Sequence, residues 1–516
     1  MTIGQLDLAL LIAAAVLLVA VAAVRVAVRS GLPSLLAYLA LGLLIGERGV
    51  GIQFDDAMLT ELLGYVALLL ILAEGGLTTR WDGIRDAIAP AAVLATLGTV
   101  VSVLVTGLAA HLLLHLDWTT ALLLGAIVSP TDAAAVFSVL RRVPMPQRLV
   151  GILEAESGFN DAPAVIAVVA LTEKATGKAH HSVAFMLAEA VFALAVGAVV
   201  GLLVGRLGAN GLRRVALPAS GLYPIAVLSL VVAAYAAAAV VHASGFLAAY
   251  LAALVLGNSH LPHGAAVRSF AEGLGWVAQI GLFVLLGLLA DPAELPGQIL
   301  SAIAVGLVLL LVARPVSVLA SVSWFGIRLR EQALLAWAGL RGAVPVVLTT
   351  VPMAAGVAGS RRLFDLVFVL VVVFTLLQGP TLPLVARRLR LGTEVTSVDL
   401  DVESSPLGAL GADVLQVHVG TSSRLHGVEV FELRLPEGAN VTLVIRGPGS
   451  FVPSPGTMIR HEDDLIVVVP SAVRADTEAR LREVSGGGKL AGWHTPARPG
   501  GRAIRSRRTR GAEPTG

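Results

Sequence analysis

Thirteen apolar runs fill the first three quarters of the chain, at about 6–28, 32–51, 57–78, 86–114, 119–140, 147–172, 182–206, 219–241, 244–258, 269–290, 297–325, 331–356 and 363–386. Most of them reach the roughly 20 residues that a helix needs to cross a bilayer, so the pattern predicts about 13 transmembrane helices. Beyond residue 391 the pattern changes. GTEVTSVDLDVESS at 392–405 is polar and acidic, a linker by composition. ADVLQVHV, NVTLVIRG and DLIVVV then read as short strands separated by Gly and Pro, with a helix over about 472–484. The fold class predicted is an α-helical integral membrane protein over 1–391 with a small cytoplasmic α/β domain over 406–485. A disordered basic tail over 486–516 completes it.

Composition agrees. Of the 516 residues 14% are charged, well below the soluble norm of about 25%, and the mean hydropathy is +0.85. There is no cysteine, which excludes disulfides, thiolate chemistry and Cys-based metal sites. The net charge of +2 says little, but its distribution says more. Loops after odd-numbered spans carry 16 basic residues, from Arg25 and Arg29 to Arg387, Arg388 and Arg390; loops after even-numbered spans carry 5, namely Arg48, Lys174, Lys178, Arg361 and Arg362. The excess predicts an outside N-terminus and a cytoplasmic C-terminus in the cell membrane. The first run lacks a preceding basic region and is read as a helix, not a cleaved signal.

Two spans are interrupted. The fifth carries Ser129-Pro130-Thr131-Asp132 at mid-depth, and the twelfth carries Gly339, Arg341, Gly342 and Pro345. Proline removes an N–H and clashes with the preceding turn, so both helices are expected to break there. Broken helices inside a membrane are tolerated only within protein or beside water. Spans five and twelve stand seven apart, which suggests two six-helix inverted repeats (1–6 and 8–13) with a binding site between them.

The densest polar cluster is GILEAESGFNDAP at 151–163, inside the sixth span. A carboxylate at bilayer depth costs about 2.5 to 3.5 kcal/mol, so Glu154, Glu156 and Asp161 together need a reason. Ser157 and Asp161 are four apart, as are Glu156 and Asn160, so each pair shares a helix face. Glu74 precedes Gly75-Gly76 near the end of the third span. His111 and His115, beside Asp117 at a helix end, read as an interface cluster. A channel is disfavoured because no TVGYG-like filter occurs. An intramembrane hydrolase using Ser157 lacks the Gly-x-Ser-x-Gly and His-Glu-x-x-His patterns. No Gly-x-Gly-x-x-Gly opens a nucleotide-binding unit, and neither a cofactor nor a nucleic-acid partner is called for.

EGGL at 74–77, SPTDAAAV at 129–136, ESGFNDAPAV at 156–165 and LRGAVPVVL at 340–348 resemble, in order, the signature segments of the monovalent cation:proton antiporter-1 family. PSPGTMIRHEDDLIVVV at 453–469 resembles the C-terminal half of regulator-of-potassium-conductance domains, departing from it at Glu462-Asp463. The resemblance implies a homodimeric exchanger working by alternating access. It implies that Asp161 binds cation or proton, with Asn160 beside it and Thr131, Ser157 and Glu74 helping to coordinate the cation. It also implies a Glu156–Arg341 ion pair and a role for Asp132 in the crossing of the broken helices. The expected exchange is one cation for one proton, electroneutral. The C-terminal domain favours potassium, with sodium as the alternative; it either binds a small regulator or dimerises.

Overall fold

A computed structural model describes residues 3–30, 33–52, 54–132, 145–178, 183–391, 400–406, 412–421, 423–447 and 449–490. The second half of the fifth span, part of the linker and the tail beyond Leu490 lie outside the described residues. The chain divides into two compact units, Met1–Glu394 and Val395–Gly516.

Among the described residues of the first unit, each of the thirteen apolar runs contains a helix. These are α1 (Ile3–Ser30), α2 (Ser34–Ile45), α3 (Ala57–Thr78), α4 (Ile88–Leu114), α5 (Trp118–Val128), α6 (Gln147–Ala175) and α7 (Val183–Arg214). They continue with α8 (Leu222–Val240), α9 (Gly245–Gly257), α10 (Gly264–Leu289) and α11 (Leu295–Phe325), then α12 (Leu329–Trp337), α13 (Ala343–Ala354) and α14 (Ser360–Arg388). Seven of the described helices are both long and apolar enough to cross a bilayer alone, and shorter apolar helices complete the bundle. The twelfth run is split into α12 and α13, as Gly339 to Gly342 predict. Helix ends without an intrahelical partner are capped locally. Asp56, Asp117 and Ser244 each accept a hydrogen bond from a backbone N–H three residues on. The histidine cluster proves to be part of the α4–α5 turn: His111 stacks on Trp118 with ring centroids 4.1 Å apart, while the bonds from Thr120 hold the Asp117 carboxyl below its usual range.

Helices that pack inside a lipid environment gain little from apolar burial alone, so close backbone approach matters. Gly42 of α2 and Gly287 of α10 supply it: a Cβ on either would overlap backbone atoms of the other helix. A second internal correspondence joins the paired breaks. The helix widens into a π-turn at Leu94–Gly98 in α4 and again at Leu309–Ala313 in α11, the fourth and eleventh spans, also seven apart.

The second unit is a five-stranded antiparallel sheet in the order β1-β2-β5-β3-β4, with β1 Leu400–Pro406, β2 Ala412–Val419, β3 Asn440–Arg446, β4 Gly449–Phe451 and β5 Asp463–Pro470. Alternation puts Leu415, Val417 and Val419 of β2 beside Leu465, Val467 and Val469 of β5, under Leu481 and Val484 of helix α15 (Arg474–Gly487). β1 occupies residues read above as linker. Its acidic, polar sequence suits an edge strand, which needs only one partner ladder and is protected by charge. Arg446 holds the buried carboxylate of Asp463 through two bonds of 2.8 Å across the β3–β5 pair.

Candidate functional site

The site forms where α5 and the α12–α13 pair break against α6. After Val128 the backbone leaves the helix at Ser129-Pro130, and the Asp132 N–H donates to the carbonyl of Leu340 at 2.8 Å. The two interrupted segments therefore satisfy one another, as irregular backbone inside a helical bundle must. Gly342 sits where a Cβ would overlap the Asp132 carboxylate, so glycine alone lets that carboxylate reach the start of α13, whose free N–H groups favour a negative charge. Replacement of Gly342 by alanine is expected to displace Asp132 and cut exchange at least tenfold, read as proton flux in everted vesicles. Unchanged flux would mean that this close approach is dispensable.

Of the residues singled out in the sequence, Thr131, Ser157, Asn160 and Asp161 come together in one buried cluster. Asn160 Nδ2 donates to Thr131 Oγ1 at 2.8 Å, and the hydroxyls of Thr131 and Ser157 are 3.4 Å apart. Asp161 is 7% exposed, and its Oδ1 is buried with no hydrogen-bond partner; the same holds for Asn160 Oδ1. Asp132 stands near enough for its charge to act on Asp161. Buried oxygens left without donors are expensive, and a cation or a proton would satisfy them. Glu74 lies against Gly275 of α10, bordering a cleft lined by Pro224, Leu228, Phe270 and Leu274.

The expected Glu156–Arg341 pair is replaced by another. Glu156 is held by Arg314, with Nη1–Oε1 at 2.5 Å and Nη2–Oε2 at 2.7 Å, and both side chains are at most 4% exposed. Arg314 follows directly on the π-turn of α11, a distortion that often marks functional positions. Arg341 instead donates through Nε to the Val128 carbonyl at 3.2 Å and through Nη1 to that of Gly339. Those carbonyls are exposed by the two helix breaks, and a guanidinium there neutralises the negative ends of the half-helices. The sequence did carry a signal for Arg314: a lone arginine inside the apolar run 297–325 is itself a functional flag.

Glu154, given no role by the resemblance, accepts a 2.6 Å hydrogen bond from Thr79 at the end of α3.

Comparison with known proteins agrees with this architecture. The model of the family "Sodium/hydrogen exchanger, transmembrane" matches residues 14–388, and that of the TrkA-C domain matches 414–482. The K(+)/H(+) antiporter NhaP of Alkalimonas amylolytica is 35% identical over 478 residues, 90% of this chain and 82% of its own length. The K(+)/H(+) antiporter NhaP2 of Shewanella sp. strain ANA-3 is 36% identical over 451 residues, 85% of this chain and 77% of its own. The Na(+)/H(+) antiporter NhaH of Halobacillus dabanensis is 30% identical over 313 residues, 57% of this chain and 75% of its own. The solved structure of the sodium proton antiporter MjNhaP1 from Methanocaldococcus jannaschii superposes with a TM-score of 0.65 at 21% identity, over 75% of this chain and 100% of that one, a likeness of fold. The chain belongs to the sodium/hydrogen exchanger family, an integral-membrane cation/proton antiporter and not an enzyme, with a TrkA-C domain following its helices.

Proposed function

We propose that the protein exchanges potassium for protons, one for one, by alternating access of Asp161 to the two sides of the cell membrane. The observation that carries the reading is the buried, partnerless Oδ1 of Asp161 among the oxygens of Thr131, Ser157 and Asn160. Burial favours the protonated carboxyl and a bound cation favours the ionised one, so the two ions compete for a single site. Exchange follows if the occupied states reorient and the empty charged state does not. Around the carrier Glu156 is neutralised by Arg314, while Arg341 faces the carbonyls left by the helix breaks. With Asp161 as the single carboxylate that reorients with its ion, the cycle is electroneutral.

Potassium is favoured over sodium because the two K(+)/H(+) antiporters match 85–90% of this chain, extending past its membrane helices, whereas the Na(+)/H(+) antiporter NhaH matches 57%. The working unit is a homodimer with its N-terminus outside and its C-terminal domain in the cytoplasm, consistent with the 16 to 5 excess of basic residues. The TrkA-C domain sets the activity, by binding a small regulator or by pairing with its copy. The test is proton release from acid-loaded everted vesicles on adding K⁺, Na⁺ or Li⁺ separately, with and without residues 406–516. The largest response is expected with K⁺. A sodium response that exceeds it overturns the choice of cation, and dependence on membrane potential overturns the one-for-one count.

A further inference from the structure

Positions 154, 157 and 161 of α6 lie at i, i+3 and i+7, so Glu154 shares the helix face that carries Ser157 and Asp161. Seven residues separate the two carboxylates, about 10 Å of helix rise, with Glu154 nearer the start of α6. Asp161 is buried, whereas Glu154 is only partly so. Between them on the same face is Gly158, where a Cβ would overlap the ring of the buried Tyr250 from α9. Tyr250 is held edge-on by Phe159, with ring centroids 5.5 Å apart.

The surroundings of Glu154 are built, not incidental. Its Oε1 accepts from the Thr79 hydroxyl at 2.6 Å. The carbonyl of Thr79 accepts from Asn258 Nδ2 at 2.8 Å, and Asn258 Oδ1 accepts from the Trp81 N–H at 2.7 Å. One asparagine at the end of α9 thus ties down the segment that ends α3, and Thr79 in that segment reaches Glu154 of α6. A glutamine at position 154 could accept the same Thr79 bond without the cost of a charge inside the bundle. The structure nevertheless places a carboxylate there, on the carrier's own face and only partly buried.

We infer that Glu154 is a second ion-binding carboxylate: an entry station that takes up the monovalent cation before it passes Tyr250 to Asp161. The Glu154 carboxylate and the Thr79 hydroxyl supply oxygen ligands of the kind a hard cation requires. Tyr250 stands at the step between the two carboxylates, its ring in the space that Gly158 leaves. The inference rests on the reading of Asp161 as carrier.

The test uses the full-length protein in oriented proteoliposomes, with K⁺ varied on one side at a time. Glu154→Gln is expected to raise the half-saturating K⁺ concentration at least about fivefold on the side where α6 begins, because the carboxylate's charge no longer attracts the cation there. The opposite side and the maximal rate are expected to stay within about twofold, and Glu154→Asp to restore most of the affinity. Thr79→Val, which removes the second oxygen but no charge, is expected to shift the same side in the same direction. Half-saturation unchanged in both variants, or raised equally on both sides, overturns the entry station. Asp161→Asn is run in parallel. Exchange retained in that variant overturns the carrier reading by itself, whatever the sided measurement on Glu154 returns.

Discussion

Asp161→Asn is expected to abolish exchange. The variant keeps the size and hydrogen-bonding outline of the side chain and removes the charge for which, in the proposed cycle, the two ions compete. A carboxylate and a cation about 4 Å apart at an effective dielectric constant of 20 attract by about 4 kcal/mol. Losing that attraction weakens cation binding by about three decades, and the proton loses its site altogether. Thr131, Ser157 and Asn160 remain in place, so the bundle keeps its packing. The loss is therefore expected in transport and not in folding. Proton flux in everted vesicles together with a melting curve in detergent separates the two. Flux near the wild-type level would remove Asp161 from the centre of the mechanism.

The second large effect is expected in stability. Arg314→Ala leaves Glu156 ionised and unpaired at a site where the two side chains are at most 4% exposed. Breaking one partner of a buried pair typically costs about 3 to 5 kcal/mol, because the remaining charge keeps its desolvation penalty. Arg314→Lys is expected to recover only part, since an ammonium cannot reproduce the two parallel bonds to Oε1 and Oε2. The double change Glu156→Gln with Arg314→Met removes both charges and is expected to melt well above the Arg314→Ala single variant. Arg341→Ala provides the contrast. Its partners are neutral carbonyls, and charged hydrogen bonds of that kind contribute about 1.5 to 3 kcal/mol, so its stability loss is smaller. Thermal unfolding of the purified protein ranks the variants; Arg314→Ala melting with the wild type would show that the pair is not a structural tie.

The membrane spans were legible because hydropathy is a local property. An apolar run of sufficient length declares a helix whatever lies elsewhere in the chain, and a Ser-Pro or Gly-Leu-Arg-Gly interruption declares a break. The grouping of Ser157 with Asp161 was legible for a related reason, since helical periodicity turns spacing directly into a shared face. The edge strand Leu400–Pro406 was read as linker because its alternation, Leu400 and Val402 between acidic residues, is short and ends in Ser404, Ser405 and Pro406; its register with β2 makes it a strand.

By itself, then, the order of residues determined where the apolar helices lie in the chain, the two interruptions and the face that Ser157 and Asp161 share, while helix limits such as Ser34–Ile45 and Val183–Arg214 differ from the apolar runs 32–51 and 182–206. It did not determine which arginine faces Glu156, for Arg314 stands 158 positions away and Arg341 carries the same charge. That choice was made by the fold bringing Arg314 of α11 within reach of Glu156 and by the carbonyls of Val128 and Gly339, which the helix breaks leave facing Arg341. The meeting of Thr79, Asn258 and Glu154 was decided in the same way. Periodicity acts over a few residues, whereas a charge finds its partner only after distant helices have fixed what remains unsatisfied.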